Sequence, residues 1–363
     1  MKVIHTILIM AGGTGGHVFP GLAVADYIKT AGWNVVWLGT EKGMETSLVP
    51  QRGYDIKIIR FSGLRGKGIV TWLTLPLRLL FALWQSAMVI LRVRPDVVLG
   101  MGGYPAFPGG LMASLLGKPL LIHEQNSIPG LANRILAGLA DKVLLGFPNA
   151  IGNEKNAVFS GNPVRNEISQ LEVPEKRYSA RTQLGSERLK LLVIGGSLGA
   201  QALNTIVPQA LKLIPERIRP FVMHQAGTKH LDSLRKNYAE AAVEGELVSF
   251  IENMAVCYAN CDLVVCRAGA LTISELAAAG VASILVPFPY AVDDHQTTNA
   301  KFLSDRNAAV LLSQSELNPQ RLAELLMGFT RENLLKMAVK ARELAKPDAT
   351  RRVAEACMER VKA

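Results

Sequence analysis

Short apolar runs recur along the chain, each followed by a stretch with helical spacing. Residues 7–10, 34–38, 96–99, 120–123, 142–145 and 157–159 are predicted as buried strands. Helical patterns lie between them at 22–30, ended by Gly32, at 109–116, ended by Gly117 and Pro119, and at 131–140. Strands alternating with helices predict βαβ units and a parallel sheet. The pattern restarts beyond Gly161-Asn162-Pro163, with strands expected at 190–194, 221–224, 246–250, 263–266 and 282–286. The polar, irregular stretch 170–187 is expected to be a hinge region. Each half opens with an apolar strand running into a Gly-rich turn, ILIMAGGTGG and LLVIGGSLG. The fold class predicted is therefore α/β, with two Rossmann-like, doubly wound domains at 1–163 and 164–345 and an interdomain cleft. Ligands are expected at the carboxyl ends of the strands, facing that cleft.

One apolar stretch breaks this rhythm. Residues 69–91 are long enough to cross a bilayer. Against a span, Arg78 sits near the middle, where a charge costs roughly 2.5–3.5 kcal/mol. Pro76 also interrupts the helical ladder. Helical spacing puts Leu73, Leu77, Leu80, Trp84 and Met88 on one face, expected to pack inward. Trp72, Leu75, Leu79 and Leu83 form a second stripe, expected to contact a membrane. Arg60, Arg65 and Lys67 precede the segment and Arg92 and Arg94 follow it, as a peripheral helix on an anionic leaflet requires. A thoroughly buried domain helix is the alternative.

The chain has 363 residues, 49% of them hydrophobic and 19% charged. At about 150 residues per domain, that suits two domains and excludes intrinsic disorder. A net charge of +10 favours polyanionic partners: nucleic acid, an anionic membrane face or phosphorylated small molecules. Cys257, Cys261, Cys266 and Cys357 form no C-x-x-C, so a reducing compartment is expected. The apolar start superficially resembles a signal peptide, but it leads straight into Gly12-Gly13-Thr14-Gly15-Gly16, which fits a first strand and a phosphate-type loop better.

Three Gly-rich turns follow predicted strands: 12–16, 100–103 and 195–199. Glycine permits close backbone approach, and the next helix's amides favour phosphate. None completes G-x-G-x-x-G, since Val18 and Pro105 occupy the third positions, and no P-loop is present. A nicotinamide oxidoreductase and a P-loop NTPase are thereby disfavoured. After the strand at 263–266 comes RAGALTISELAAAG, 267–280. A helix expected to begin near Ala270 would offer its first amides to a diphosphate. Glu275, one turn in, can accept from both ribose hydroxyls or simply favour the helix dipole.

GGTGGH at 12–17, SGLRGKG at 62–68, GMGGY at 100–104, HEQN at 123–126, GNPVR at 161–165, GGS at 195–197 and CRAGALTISE at 266–275 stand in order across nearly the whole chain. In these motifs the sequence resembles the MurG family of bacterial UDP-N-acetylglucosamine transferases. The resemblance implies a GT-B fold whose last helix, about 346–363, returns to the N-terminal domain. It implies inverting transfer of GlcNAc from UDP-GlcNAc to the MurNAc 4-hydroxyl of lipid I, giving lipid II for peptidoglycan synthesis, cell shape and division. The implied setting is peripheral, on the cytoplasmic face of the bacterial inner membrane, with its anionic leaflet and cell-wall synthesis proteins as partners. Donor contacts implied by the resemblance fall on Thr14, Gly15, Gly16, Asn126, Arg165, Ser197, Ile251, Ala270, Leu271, Thr272, Ile273, Ser274, Glu275 and Gln296.

Departure of UDP places negative charge on the diphosphate, which helix-terminal and glycine amides can absorb. The chain has no D-x-D, and no bound metal or cofactor is expected. Attack by the acceptor hydroxyl calls for a general base. His17 is the candidate, with phosphate binding or loop capping as its alternative role. His123 and Glu124 are the runners-up. Gly12, Gly13, Gly102 and Gly103 are candidates for holding the acceptor's pyrophosphate. Three rivals differ in what they need: a UDP-GlcNAc epimerase requires no acceptor, a nucleic-acid-binding module requires stacking aromatics, and a non-catalytic scaffold requires no turnover. Nucleic acid is not expected as a partner.

Overall fold

The computed structural model describes residues 4–62, 74–148, 150–151, 156–183, 188–196 and 199–362. Trp72, Leu73, Ser197 and most of the 62–68 motif lie outside the described residues. The chain divides into two compact units, Met1–Arg165 with Pro347–Ala363, and Asn166–Lys346.

The first unit is built on seven parallel strands: β1 (Thr6–Ala11), β2 (Asn34–Thr40), β3 (Asp55–Ile59), β4 (Val97–Gly102), β5 (Leu120–Glu124), β6 (Lys142–Leu145) and β7 (Ala157–Phe159). Their order is β3-β2-β1-β4-β5-β6-β7. A parallel sheet covered on both faces needs strands that are apolar throughout, and Ile7 to Ala11 are all fully buried. Side chains alternate between the faces. Ile7 and Ile9 pack with the helix Gly15–Thr30 and with Val353, Ala354 and Cys357 of the C-terminal helix Ala349–Lys362. Leu8 and Met10 pack on the other face with Ile90 and Ala113.

The second unit has six parallel strands: β8 (Lys190–Ile194), β9 (Phe221–Gln225), β10 (Glu246–Val248), β11 (Leu263–Cys266), β12 (Ala282–Leu285) and β13 (Val310–Leu311). Their order is β10-β9-β8-β11-β12-β13. In each sheet the winding reverses once, between β1 and β4 and between β8 and β11. The connections leaving these paired strands run to opposite sides and open a crevice at the strands' carboxyl ends. Gly-rich turns leave β1, β4 and β8 at these positions, and the helix Ala270–Ala279 follows β11.

Three expectations need correction. The stretch expected to be an irregular hinge contains a helix of the second unit, Pro174–Gln183, with Arg177, Tyr178 and Arg181 buried, and 184–187 lie outside the described residues. The Arg177 guanidinium donates to the Tyr258, Ala279 and Gly280 carbonyls. Arg181 pairs with fully buried Asp262 at 2.7 Å, and Arg331 approaches the same carboxylate at 3.6 Å. Pairing lets such polar residues be buried.

The first helix begins at Gly15 rather than at 22, with Pro20 inside it. Packing of its first turn overrides the low helix propensity of Gly and Pro.

The apolar helix is also oriented oppositely to expectation. In Leu75–Val93, Ala82, Ser86 and Ile90 are buried and Leu75, Leu79 and Leu83 are half-buried beside them. Leu77 (71% exposed), Leu80 (62%), Trp84 (59%) and Phe81 face solvent instead. Both stripes are equally apolar, so hydrophobicity alone did not distinguish them. Small residues at 82 and 86 mark the side that approaches its neighbour. The helix is long and apolar enough to cross a membrane, but its packed face belongs to the first unit's core.

Candidate functional site

In the first unit, the β1 and β4 turns pack together at the point where the winding reverses. Gly103 has φ +79°, and a Cβ there would lie 2.1 Å from the Gly12 carbonyl oxygen. Gly102 has φ +95°, and a Cβ there would lie 2.7 Å from His17 Nδ1. These glycines therefore serve close backbone and ring approach. Gly13 N donates to Glu45 Oε2 at 2.9 Å. Glu45 is fully buried, and its Oε1 accepts from Thr40 N and Oγ1, both at 2.9 Å. The Gly13 amide is thus already engaged by a carboxylate, which would repel a pyrophosphate placed on it. Glu45 shapes this loop and was not singled out from sequence.

A cavity of about 560 Å³ opens beside Gly13. Lys42, Arg60, Arg78, Leu77, Phe81 and Tyr104 are among the residues that line it. Arg60 pairs with Glu41 at 2.9 Å, and Arg78 Nη2 donates to Ser62 Oγ at 2.8 Å. Cationic and apolar groups therefore meet in one cavity, which continues onto the exposed stripe through Leu77 and Phe81.

His17 lies in the first turn of the helix that follows the β1 loop and is half-buried. Its Nδ1 lies 3.1 Å from Gln125 Oε1. Gln125 is buried and its Nε2 donates to the Met101 carbonyl at 2.7 Å.

The runners-up have other work. His123 is fully buried with Nε2 at 3.0 Å from the Gly161 carbonyl, and burial lowers its pKa to about 4. Glu124 accepts from Asn126 N and Nδ2, Gly130 N and Asn133 Nδ2, so it fixes the loop after β5. That loop presents Asn126. Arg165 lies over the Phe19 ring, 5.3 Å from its centroid. Thr14, Gly15, Gly16, Asn126 and Arg165 all belong to the first unit.

In the second unit, parallel strands bring Ile251, the start of the helix Ala270–Ala279 and Gln296 to one sheet edge. Ile251 is buried in the turn after β10. The helix Ala270–Ala279 starts at extended Gly269 with no side-chain cap, so its first amides have no partner within the helix. Ser274 Oγ donates back to the Ala270 carbonyl at 3.0 Å. Glu275 is buried and accepts from Tyr258 Oη at 3.3 Å. A carboxylate accepts up to about four hydrogen bonds, so this contact is compatible with holding two ribose hydroxyls. Gln296 Oε1 accepts from Phe288 N at 2.9 Å, which leaves the amide nitrogen as a donor. Tyr258, sequence-distant from this helix, was not anticipated.

Residues 7–145 match the glycosyltransferase family 28 N-terminal domain and 190–353 its C-terminal domain. A Nitrosospira multiformis UDP-N-acetylglucosamine–N-acetylmuramyl-(pentapeptide) pyrophosphoryl-undecaprenol N-acetylglucosamine transferase is 72% identical, over 98% of this chain and 99% of its own. A crystal structure of Acinetobacter baumannii MurG matches with TM-score 0.82 at 40% identity, covering 98% of this chain and 99% of that one. A UDP-N-acetylglucosamine 2-epimerase matches with TM-score 0.65 at 14% identity, over 98% and 95% of the two chains, a likeness of fold alone.

Proposed function

The chain belongs to glycosyltransferase family 28 and, within it, to the MurG family, and from that premise we propose which residues carry the reaction. It is an inverting, UDP-GlcNAc-dependent N-acetylglucosaminyltransferase that converts lipid I to lipid II in peptidoglycan synthesis. The near-full-length relative at 72% identity carries this conclusion and separates it from the epimerase reading, which fold alone leaves open.

The donor's uridine and diphosphate are assigned to the second unit. Ile251 lies beside the base, Glu275 holds the ribose, and the first amides of Ala270–Ala279 face the diphosphate. Gln296 donates to the sugar. As the C1–O bond breaks, its electron pair leaves on the β-phosphate of UDP. Amides and a helix N-terminus are already oriented to receive that charge. The MurNAc 4-hydroxyl attacks C1 from the opposite face, inverting the centre, and gives its proton to His17 Nε2. The resemblance also assigns Thr14, Gly15, Gly16, Asn126 and Arg165 of the first unit, and Ser197, to the donor.

The acceptor's pyrophosphate is assigned to the cationic side of the cavity, at Lys42, Arg60 and Arg78, away from the Gly13 amide that Glu45 already holds. Its lipid tail then leaves along Leu77 and Phe81. We place the exposed stripe of Leu75–Val93 on an anionic membrane leaflet, on the face from which lipid I is supplied. Apolar contact and nearby basic groups act together in such binding. The double substitution Leu80→Glu/Trp84→Glu is expected to abolish flotation with anionic vesicles, whereas Leu75→Glu should weaken it less. Equal flotation of the wild type and the double variant would refute this orientation.

The transfer itself is tested with labelled UDP-GlcNAc and a lipid I analogue, with UDP-GalNAc as competitor. Label should enter the lipid product, and no UDP-ManNAc should form without acceptor. Glu275→Ala should raise KM for UDP-GlcNAc by about 10- to 100-fold, as expected when a charge-assisted hydrogen-bond acceptor is lost. An unchanged donor KM would remove Glu275 from the ribose.

A further inference from the structure

The buried amide of Gln125 has a defined direction. Its Nε2 donates to the Met101 carbonyl at 2.7 Å, so its Oε1 must be the atom facing His17 Nδ1 at 3.1 Å. An amide oxygen only accepts, so this contact requires a proton on Nδ1. Nε2 then carries the ring's lone pair. Gly102 makes the contact sterically possible: a Cβ there would lie 2.7 Å from Nδ1 and 3.4 Å from Gln125 Oε1. The three residues come from the first turn of the helix after β1, the end of β4 and the position just after β5, whose parallel strands bring their carboxyl ends together.

We propose that Gln125 is a positioning residue for transfer: it holds His17 as the Nδ1–H tautomer and so presents Nε2 as the base. The role rests on His17 being the base assigned above. When Nε2 takes the acceptor proton, the ring becomes an imidazolium and its Nδ1–H···O bond to Gln125 becomes charge-assisted, strengthening as the reaction proceeds. A neutral amide achieves this without adding negative charge beside two phosphorylated substrates. Gly102 thus serves the histidine, rather than the pyrophosphate expected from sequence.

Nitrogen-15 spectra of histidine-labelled protein test the tautomer directly, with His17→Ala identifying the signal. The expected spectrum of the neutral ring has a protonated Nδ1 and an unprotonated Nε2. The opposite tautomer would overturn the proposal whatever any variant does. In turnover, Gln125→Leu is expected to lower kcat by about 10- to 100-fold, the usual cost of removing a group that orients a functional histidine. KM for UDP-GlcNAc should stay unchanged. Gln125→Glu should move the acid limb of the kcat profile to higher pH, because a carboxylate stabilises the imidazolium. A purely structural role predicts no such movement, and an unshifted limb would overturn the proposal. Full activity of His17→Ala would instead sink the base assignment, while the wild-type spectrum would still report whether Gln125 sets the tautomer.

Discussion

Replacing His17 with alanine is expected to lower kcat by about 10²–10⁴-fold, the range contributed by a positioned general base. Binding of UDP should be unchanged, because the uridine and diphosphate contacts are assigned to the other unit. Single-turnover transfer to a lipid I analogue, paired with UDP titration calorimetry, separates the two effects. A loss of UDP affinity as large as the loss of rate would recast His17 as a phosphate ligand. Turnover within a few-fold of wild type would remove it from the chemistry. The fall should also exceed that of Gln125→Leu, which leaves the imidazole in place.

The second large effect concerns stability. Asp262 is fully buried at the start of β11, where its carboxylate accepts from Arg181 and from Lys190 N at 2.9 Å and lies near Arg331. Asp262→Ala would leave buried guanidinium groups uncompensated. Removing one partner from such a buried pair costs about 3–5 kcal/mol. The loss should fall on one unit. All four tryptophans, Trp33, Trp37, Trp72 and Trp84, belong to the first unit. Calorimetry should therefore show one transition moving down while the tryptophan fluorescence transition keeps its midpoint. A fluorescence midpoint that fell in step, or a variant as stable as wild type, would contradict this account. The Asp262 network sits at the amino ends of the strands, the opposite edge from the donor residues. UDP binding well below the shifted transition should therefore survive.

The central strands and the three Gly-rich turns were legible because they depend on short-range pattern. β6, β7, β8 and β11 begin and end where their apolar runs do. The edge strands β3 and β13 were missed. The first is half-exposed with Lys57 inside it, and the second spans only two residues. The helix Pro174–Gln183 was hidden for a different reason. Two of its four buried positions are arginines, whose partners lie some 80 to 100 residues away, and no local pattern reports such pairing. The same holds at the sites. His17 and Glu275 stood out through their motifs. Glu45, Gln125 and Tyr258 act through contacts that only the folded chain creates.

The C-terminal helix Ala349–Lys362 places Val353, Ala354 and Cys357 in the core of the first unit, beside Ile7 and Ile9 of β1. The opening strand therefore lacks part of its covering until residues 349–362 leave the ribosome. The unit that is begun first is completed only after residues 166–346 of the second have been made. A nascent chain stopped anywhere before residue 349 leaves part of that sheet bare, an exposed surface that chaperones would have to shield.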